Sequence, residues 1–403
     1  MVESDSRAGN PRLLVLGAGP AQLGLLQAAR ERGIWLAVVD RDPAAPGFRF
    51  ADRRCILSTE DDAAIERLAG ALGIDGLISP GTDWPVGVAA RIAERLGLGH
   101  PISAATAVAA TSKLRQRERL AEAGVPQPRS WVVGSGDPLP ALTGPVVVKA
   151  PDRQGQKGLS LVEDPAHLAA AVATARSAAR SGVALVEELV DGPEVTVVGF
   201  TIDSVFHSLA VTDRITAEPP AFGVALAHVF ESEHAEAASV VAAGATRALG
   251  IENGPSYTQL RIAADGPQVI EVAARLGGGH DAELVRFATG VDLNGLAIAA
   301  ALGEPVTAPI PDRRVGGAVT RFLVAPPGAL AGVEVPEGLA GVEMVRIYRE
   351  PGYVFAPLRR GADRAGAILV LGENREQAVA RAEAAVERIR FLTADAGALL
   401  QAN

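Results

Sequence analysis

The sequence predicts a mixed α/β and α+β protein, a parallel-sheet unit followed by antiparallel-sheet lobes. Three observations carry this. The first hundred residues alternate short apolar runs with helical spacing, which builds parallel strands joined by crossover helices. From about Ser130 onward, apolar runs follow one another with few helices between them and with turn residues at their ends, as antiparallel strands do. Hydrophobic residues make up 48% of the 403 residues and aromatics only 4%, so the core must be built from aliphatic side chains in packed layers. At this length two or three domains are expected, and the order of parts favours three.

The first apolar run, RLLVL from Arg12, passes through a glycine turn, Gly17-Ala18-Gly19, into a helix-like QLGLLQAARERG. IWLAVVD from Ile34 to Asp40 and a weak run at Cys55–Leu57 follow as strands. Next come a helix, DDAAIERLAGALG, the strand GLISP ending at Pro80, and a helix, VGVAARIAERLG. A charged helix, TSKLRQRERLAEAG, is stopped by Gly124, Pro126 and Pro128. SWVV, PVVVKA, LSLV and ALVEELV read as strands, with an Ala-rich helix from Pro165 to Ser181 among them. EVTVVGFTI, VFHSLAVT and ALAHVF continue the β-rich stretch up to the helix AEAASVVAAGATRALG. YTQLRIA and QVIEVAA, separated by Ala264-Asp265-Gly266, form a hairpin. The tail contributes the strands AVTRFLV, MVRIY and GAILVLG and a helix from Glu376 to about Leu392.

Composition narrows the function. The 44 glycines and 27 prolines are dispersed through apolar stretches, as in a loop-rich folded chain and unlike a disordered one. A net charge of −9 without any basic run, and few aromatics for stacking bases, argue against nucleic acid as a partner. The one cysteine, Cys55, excludes an internal disulfide framework and suits a reducing compartment, so a cytoplasmic location is expected. The polar first ten residues and the lack of an apolar run of about 18 residues predict neither export nor membrane insertion.

Three clusters bear chemistry. The first is the loop Gly17-Ala18-Gly19 with Gly24 and Asp40. It is close to a dinucleotide fingerprint, but its third glycine comes late. A nicotinamide-dependent oxidoreductase is therefore one reading, although it explains only the first hundred residues. The second has Lys113 at a helix start and Lys149 at a strand end, followed by Gly155, Lys157 and Gly158 in the loop RQGQKG. Ammonium groups beside a glycine loop can bind polyphosphate oxygens. About 40 residues further on, Glu187 and Glu188 end a strand and Glu194 follows a turn. The third places Gln259 and Glu271 on adjacent hairpin strands, where their oxygens can share a divalent cation such as Mg2+ with phosphates completing its shell. Arg275 and the triple glycine Gly277, Gly278, Gly279 follow directly, so a guanidinium suited to a developing acyl-phosphate charge stands beside them.

In this order the parts resemble the ATP-grasp superfamily over nearly the whole chain. The similarity is greatest to its carbamoyl-phosphate synthase and biotin carboxylase-like branch, and within that to L-amino acid ligases. GTDWPVGVAARIAERLGLG followed by TSKLRQRERLAEAGVPQP carries the first likeness, and RFLVAPPGALAGVE with GAILVLGENREQAVARAEAA the second. The resemblance implies a flexible tail at 1–10, a Rossmann-like pre-ATP-grasp domain at 11–110, an ATP-grasp small lobe at 111–190, and a large lobe at 191–403. A C-terminal lid would occupy about 309–403 of that large lobe.

The resemblance also implies roles. Lys113 and Lys149 would bind phosphates, and Gly155, Lys157 and Gly158 would lie in the mobile loop over the triphosphate. Glu187 would receive the adenine amino group, with Glu188 beside it and Leu189 and Val190 as the hinge at the ring edge. Glu194 would bind the ribose. Glu271 and Gln259 would hold Mg2+, with Mn2+ as a substitute. Arg275 would act in catalysis with Lys149 and would touch substrate together with Gly277, Gly278 and Gly279. His228 and His280 are the histidines to test for contact with a substrate carboxylate.

The chain departs from the common pattern in two places. It has Gln259 where many relatives have glutamate, and Ala273 where many have asparagine. The expected reaction is ATP- and Mg2+-dependent joining of a small carboxylate to an amine through an acyl phosphate, with amino acids as the substrates that the resemblance implies. A bicarbonate-using carboxylase or purine-pathway enzyme is the alternative within the superfamily. A nucleotide-binding protein that has lost catalysis is the alternative suggested by Gln259 and Ala273. A homodimer is the default for such an enzyme.

Overall fold

The computed structural model describes residues 9–394. The tail expected at residues 1–10 lies, except for its last two residues, outside the described residues. Strands β1 (Arg12–Leu16), β2 (Trp35–Asp40), β3 (Arg53–Ile56) and β4 (Gly76–Ile78) form a parallel sheet in the order β3-β2-β1-β4. Helices α1 (Leu23–Glu31), α2 (Asp62–Leu72) and α3 (Trp84–Leu96) accompany it. Helix α2 is delimited by its residues: the Asp61 side chain accepts from the Ala64 N–H at its start, and Gly73 takes a left-handed φ of 57° at its end.

The run expected as one charged helix is preceded by a separate helix. Helix α4 (Ala104–Thr111) stops at Ser112, whose extended backbone breaks the path and whose hydroxyl caps the N-terminus of α5 (Lys113–Glu122). Lys113 is thereby fixed in the first turn, and its N–H donates to Pro151 O at 3.0 Å.

The small antiparallel sheet, in the order β5-β8-β6-β7, consists of β5 (Ser130–Val133), β6 (Val146–Lys149), β7 (Ser160–Val162) and β8 (Ala184–Glu188), backed by α6 (Leu168–Ala178). A larger sheet follows. It includes β9 (Glu194–Ile202), β10 (Val205–Thr216) and β11 (Ala225–Phe230), then α7 (Ala235–Ala248) packs beside the hairpin β12 (Gly254–Ala263) and β13 (Gly266–Ala273). Helices α8 (Asp281–Thr289) and α9 (Leu293–Ala301), which the periodicity did not reveal, come next.

The tail holds β14 (Gly317–Leu323), β15 (Gly328–Glu334), β16 (Val342–Ile347), β17 (Val354–Phe355), β18 (Gly366–Gly372), α10 (Arg375–Arg388) and β19 (Arg390–Ala394). Three of these strands extend the larger sheet to eight, in the order β13-β12-β9-β10-β11-β14-β18-β16. The segment beyond 309 therefore continues the preceding sheet through the β11–β14 ladder. The final helix ends at Arg388, four residues before the expected Leu392. Arg390–Ala394 pair with β15 instead, because the ladder satisfies this β-branched and aromatic stretch better than a further helical turn does.

One core joins distant parts of the chain. Leu13, Val15, Leu25 and Leu26 of the first sheet unit share a cluster with Val198, Leu284, Leu293 and Ile298. The small sheet has its own core, built from Val133, Val146, Val148, Val162, Leu168 and Val186.

Candidate active site

A cleft of about 230 Å³ opens between the small sheet and the β12–β13 hairpin. Lys113, Lys149, Gly155, Lys157, Glu187, Glu188, Leu189, Val190, Glu194, Gln259, Glu271 and Arg275 all line it. Residues separated by up to 162 positions, Lys113 and Arg275, are thus brought to one surface by two sheets and a helix start.

The cationic end is strongly organised. Lys149 terminates β6 and forms an ion pair with Glu187 on neighbouring β8. Arg117 of α5 donates to the other Glu187 oxygen at 2.6 Å, and its remaining nitrogens reach the carbonyls of Val269 and Ile270. Burial would raise the Glu187 carboxyl, but Lys149 and Arg117 outweigh it and hold the group at about 2. Burial outweighs Glu187 at Lys149 and pulls the ammonium below the ordinary lysine value.

Lys113 donates to Glu271 at 2.6 Å and to Arg153 O at 3.0 Å. Burial alone would lower Lys113, yet Glu271 and Asp83 outweigh it and raise it. The two lysines therefore differ: Lys113 is held firmly charged, and Lys149 is the more easily deprotonated.

Both carboxylate oxygens of Glu187 are engaged, one by Lys149 and one by Arg117, and the side chain is 1% exposed, so it holds two cations at the wall of the cleft. Next to it, Glu188 pairs with Arg129 at 3.0 Å, Leu189 N–H donates to Pro145 O, and Val190 O accepts from Arg261. Glu194 is ion-paired with Arg214. The apolar part of the cleft wall is mainly aliphatic, with Val147, Leu159, Leu189 and Ile270, and one aromatic, Phe222.

The hairpin places Gln259 directly opposite Glu271, through a bulge between Gln259 and Leu260 that shifts the register by one residue from the one the turn sets. Oxygen donors paired in this way fit a hard divalent cation that takes its other ligands from phosphates. Ala273 is buried opposite Tyr257 and offers no ligand. Among the described residues no group of three or more His, Cys, Asp or Glu side chains could hold a metal by itself. Arg275 does not pair with Glu271. Its guanidinium contacts Asp83, just before α3, at 2.5 Å and donates to Leu276 O.

A second chamber of about 340 Å³ adjoins the cleft, sharing Gln154, Gly155, Gln156, Arg214, Gln259 and Arg275 with it. Gly278, Gly279 and His228 line this chamber. Gly277 packs behind it: a Cβ there would fall 2.1 Å from an Asp281 oxygen. His228 Nδ1 lies 2.6 Å from Asp281 Oδ1, and both side chains are buried. Burial would raise the Asp281 carboxyl, but His228 outweighs it, so Asp281 stays ionised and accepts. Nδ1 is then the donor. His280 does not line the chamber. It sits behind the wall, with Nε2 2.5 Å from the Tyr348 hydroxyl and Nδ1 3.0 Å from Arg346.

The loop from Gly155 to Gly158 bridges the parts of the molecule. Gln154 accepts from Asp83 N–H at 2.5 Å, and Gln156 accepts from Gly361 N–H at 3.1 Å. Sequence reasoning missed Asp83, Arg117, Arg214 and Arg261, since none belongs to a local pattern. The one available signal was unlike charge on polar positions of strongly apolar elements.

The first glycine loop has a different use. Gln22 donates its amide to Pro80 O and fills the space beside Gly17, while Asp40 accepts from the Ala18 and Asp42 N–H groups. The dinucleotide-reading acid is thus tied to its own loop, and the geometry counts against a nicotinamide cofactor there. No helix among the described residues is long and apolar enough to cross a membrane.

Comparison with known proteins agrees with the fold. Residues 139–308 match the family "Carbamoyl-phosphate synthase L chain, ATP binding domain", and residues 321–394 match "L-amino acid ligase C-terminal domain 2". An L-amino acid ligase structure from Bacillus licheniformis superposes with a TM-score of 0.82 at 21% identity, covering 96% of this chain and 99% of that one. A biotin carboxylase from Campylobacter jejuni gives 0.75 at 18% identity, covering 96% and 93%. Formate-dependent phosphoribosylglycinamide formyltransferase from Burkholderia vietnamiensis is 26% identical, with 94% of this chain and 95% of that protein covered. Fold and matched domains together place the chain in the ATP-grasp superfamily of ligases. Within it, residues 139–308 match the ATP-binding domain of the carbamoyl-phosphate synthase L chain and residues 321–394 a C-terminal domain of the L-amino acid ligases.

Proposed function

We propose that this chain is an ATP- and Mg2+-dependent carboxylate–amine ligase that makes an amide bond through an acyl phosphate. The observation that carries the reading is the continuity of the two cavities. The cleft with Lys113, Lys149, Glu271 and the 155–158 loop opens through Gln259 and Arg275 into a chamber that contains His228.

In the first step a carboxylate oxygen attacks the γ-phosphorus of ATP, the bond to the bridging oxygen breaks, and ADP leaves. Lys113 and Lys149 balance the phosphate charge, and Arg275, steadied by Asp83, faces the acyl phosphate as it forms. Gln259 and Glu271 would hold Mg2+, which when bound neutralises phosphate oxygens. In the second step the amine attacks the acyl carbon, inorganic phosphate leaves, and His228 Nε2 takes the proton lost by nitrogen. Positioning and electrostatics supply most of the acceleration, and the 155–158 loop closes over the reacting groups to keep water out.

Purified protein with ATP, Mg2+ and pairs of amino acids should release phosphate in step with amide product detected by mass. Glu271→Ala should lower the rate by at least a hundredfold. A folded wild-type protein that releases no phosphate with any pair rejects the proposal. A second reading rests on the 26% identity to the formyltransferase over almost the whole chain. It predicts ATP cleavage stimulated by formate or bicarbonate without any amino acid.

A further inference from the structure

Tyr348 lines the chamber, and the groups behind it fix what its hydroxyl can do. Arg346 Nη1 stands between two partners, 3.0 Å from His280 Nδ1 and 2.5 Å from Glu283 Oε1. A guanidinium only donates, so His280 Nδ1 accepts from it. Glu283 itself lies 3.6 Å from that nitrogen, beyond hydrogen-bond reach. The His280 ring therefore carries its hydrogen on Nε2, which is 2.5 Å from the Tyr348 hydroxyl oxygen. Nε2–H donates to that oxygen, and the phenolic hydrogen has to turn elsewhere. Burial pushes the phenol up, so the hydrogen is retained. Among the described residues no second group hydrogen-bonds the hydroxyl, which leaves the chamber as its direction.

Three elements hold this relay. His280 takes a left-handed φ of 60° immediately before α8, Arg346 lies on β16, and Gln27 of α1 accepts a further Arg346 N–H at 3.3 Å. Gly24, the late glycine of the first loop, makes room for it, since a Cβ there would run into the Glu283 carboxylate. A buried donor without an acceptor costs stability, and so does a left-handed histidine; both costs fall on the wall of one chamber. The Tyr348 ring packs with Phe322 and Ala225, and the His228 ring stands edge-on to that Phe322 at 5.8 Å. Tyr348 thus belongs to the His228 end of the chamber, where the acyl group and the amine meet.

We infer that the Tyr348 hydroxyl donates to an oxygen of the reacting carboxylate and keeps that contact as amine attack places negative charge on the oxygen, and that His280 and Arg346 are positioning residues that aim it. The inference rests on the ligase reading for the identity of the reacting group. The phenol keeps its O–H bond throughout and transfers no proton. A donor already oriented toward the place where charge grows favours the transition state over the bound substrate.

The test joins calorimetry on the full chain, with Mg2+ and a non-hydrolysable ATP analogue, to phosphate release. The probes are the L-amino acids, formate and bicarbonate. Tyr348→Phe removes one oxygen and keeps the ring. It should weaken the tightest-binding probe at least fivefold and lower kcat at least thirtyfold, with KM for ATP changed less than about twofold. His280→Asn suits a left-handed φ and is too short to reach Tyr348. It should reproduce most of the fall in kcat, and the double variant should be no worse than Tyr348→Phe alone. Losses that add would make His280 merely structural and overturn the relay. In 15N spectra the His280 signals, assigned by their loss in His280→Asn, should show a protonated Nε2 and a bare Nδ1, and a protonated Nδ1 overturns the inference. Tyr348→Phe protein that binds and turns over every probe as wild type does overturns it too, as does wild-type protein that binds none of them. Weakened binding in Tyr348→Phe, with no turnover by either protein, upholds the contact and rejects the ligase reading.

Discussion

Glu187 shows how one buried carboxylate organises the cationic end of the cleft. It holds Lys149 and Arg117 together, and its carboxyl lies at about 2 against an ordinary 4.5. A depressed folded value means that the unfolded chain takes up the proton first as pH falls. The stabilisation is complete above about 4.5 and is lost as pH drops toward 2. At about 1.4 kcal/mol per unit this comes to ~3 kcal/mol. Replacing Glu187 by Gln strands two buried cations and should cost about 3–5 kcal/mol at neutral pH. Urea titrations of wild type and Glu187→Gln should show the gap narrowing between pH 5 and pH 3, and a constant gap would contradict the assignment. The pairing itself was not readable from sequence. VEELVDGPE marks Glu187 as an acid at a strand end, but Arg117 lies 70 residues earlier, and only the packing of α5 under β8 and β13 brings them together.

At the scale of elements, the β12–β13 hairpin was the most readable part of the site. Ala264-Asp265-Gly266 between two alternating runs marks the hairpin, while a one-residue bulge between Gln259 and Leu260, not written in the turn, brings Glu271 opposite Gln259. The glycines after it are explained by contact. A Cβ on Gly277 would meet an Asp281 oxygen at 2.1 Å and the Tyr257 ring at 2.6 Å. Gly277→Ala should therefore cost about 1–3 kcal/mol, seen as a lower thermal midpoint. It should also slow ATP-dependent turnover at least tenfold, because it displaces the carboxylate that orients His228. Elements whose existence depends on partners were harder to read. Helix α9 is apolar enough to look like a buried strand or helix, and β19 is a strand only because β15 offers it a ladder.

Across the whole molecule, the first sheet unit and the eight-stranded sheet share one core, reinforced by Arg32–Glu304 at 2.7 Å and Arg275–Asp83 at 2.5 Å. The small sheet keeps a core of its own. Two of the three tryptophans, Trp35 and Trp84, report on the first unit, and Trp131 reports on the small sheet. Single-tryptophan variants followed by fluorescence in urea should show Trp35 unfolding in the main transition and Trp131 at lower denaturant. Coincident transitions would mean the small sheet is not an independent unit. Asp83→Ala, by freeing Arg275, should reduce kcat for amide formation by about tenfold or more with little change in KM for ATP.

By itself the sequence determined the alternation of elements, the parallel-then-antiparallel order, and the chemistry available at Lys113, Lys149, Gln259, Glu271 and Arg275. These are local properties, written in periodicity, turn residues and side-chain type. Tertiary structure decided which charges neutralise one another: Glu187 with Lys149 and Arg117, Glu271 with Lys113, Arg275 with Asp83. Electrostatic partnership depends on distance in space and on burial, and a linear sequence contains neither.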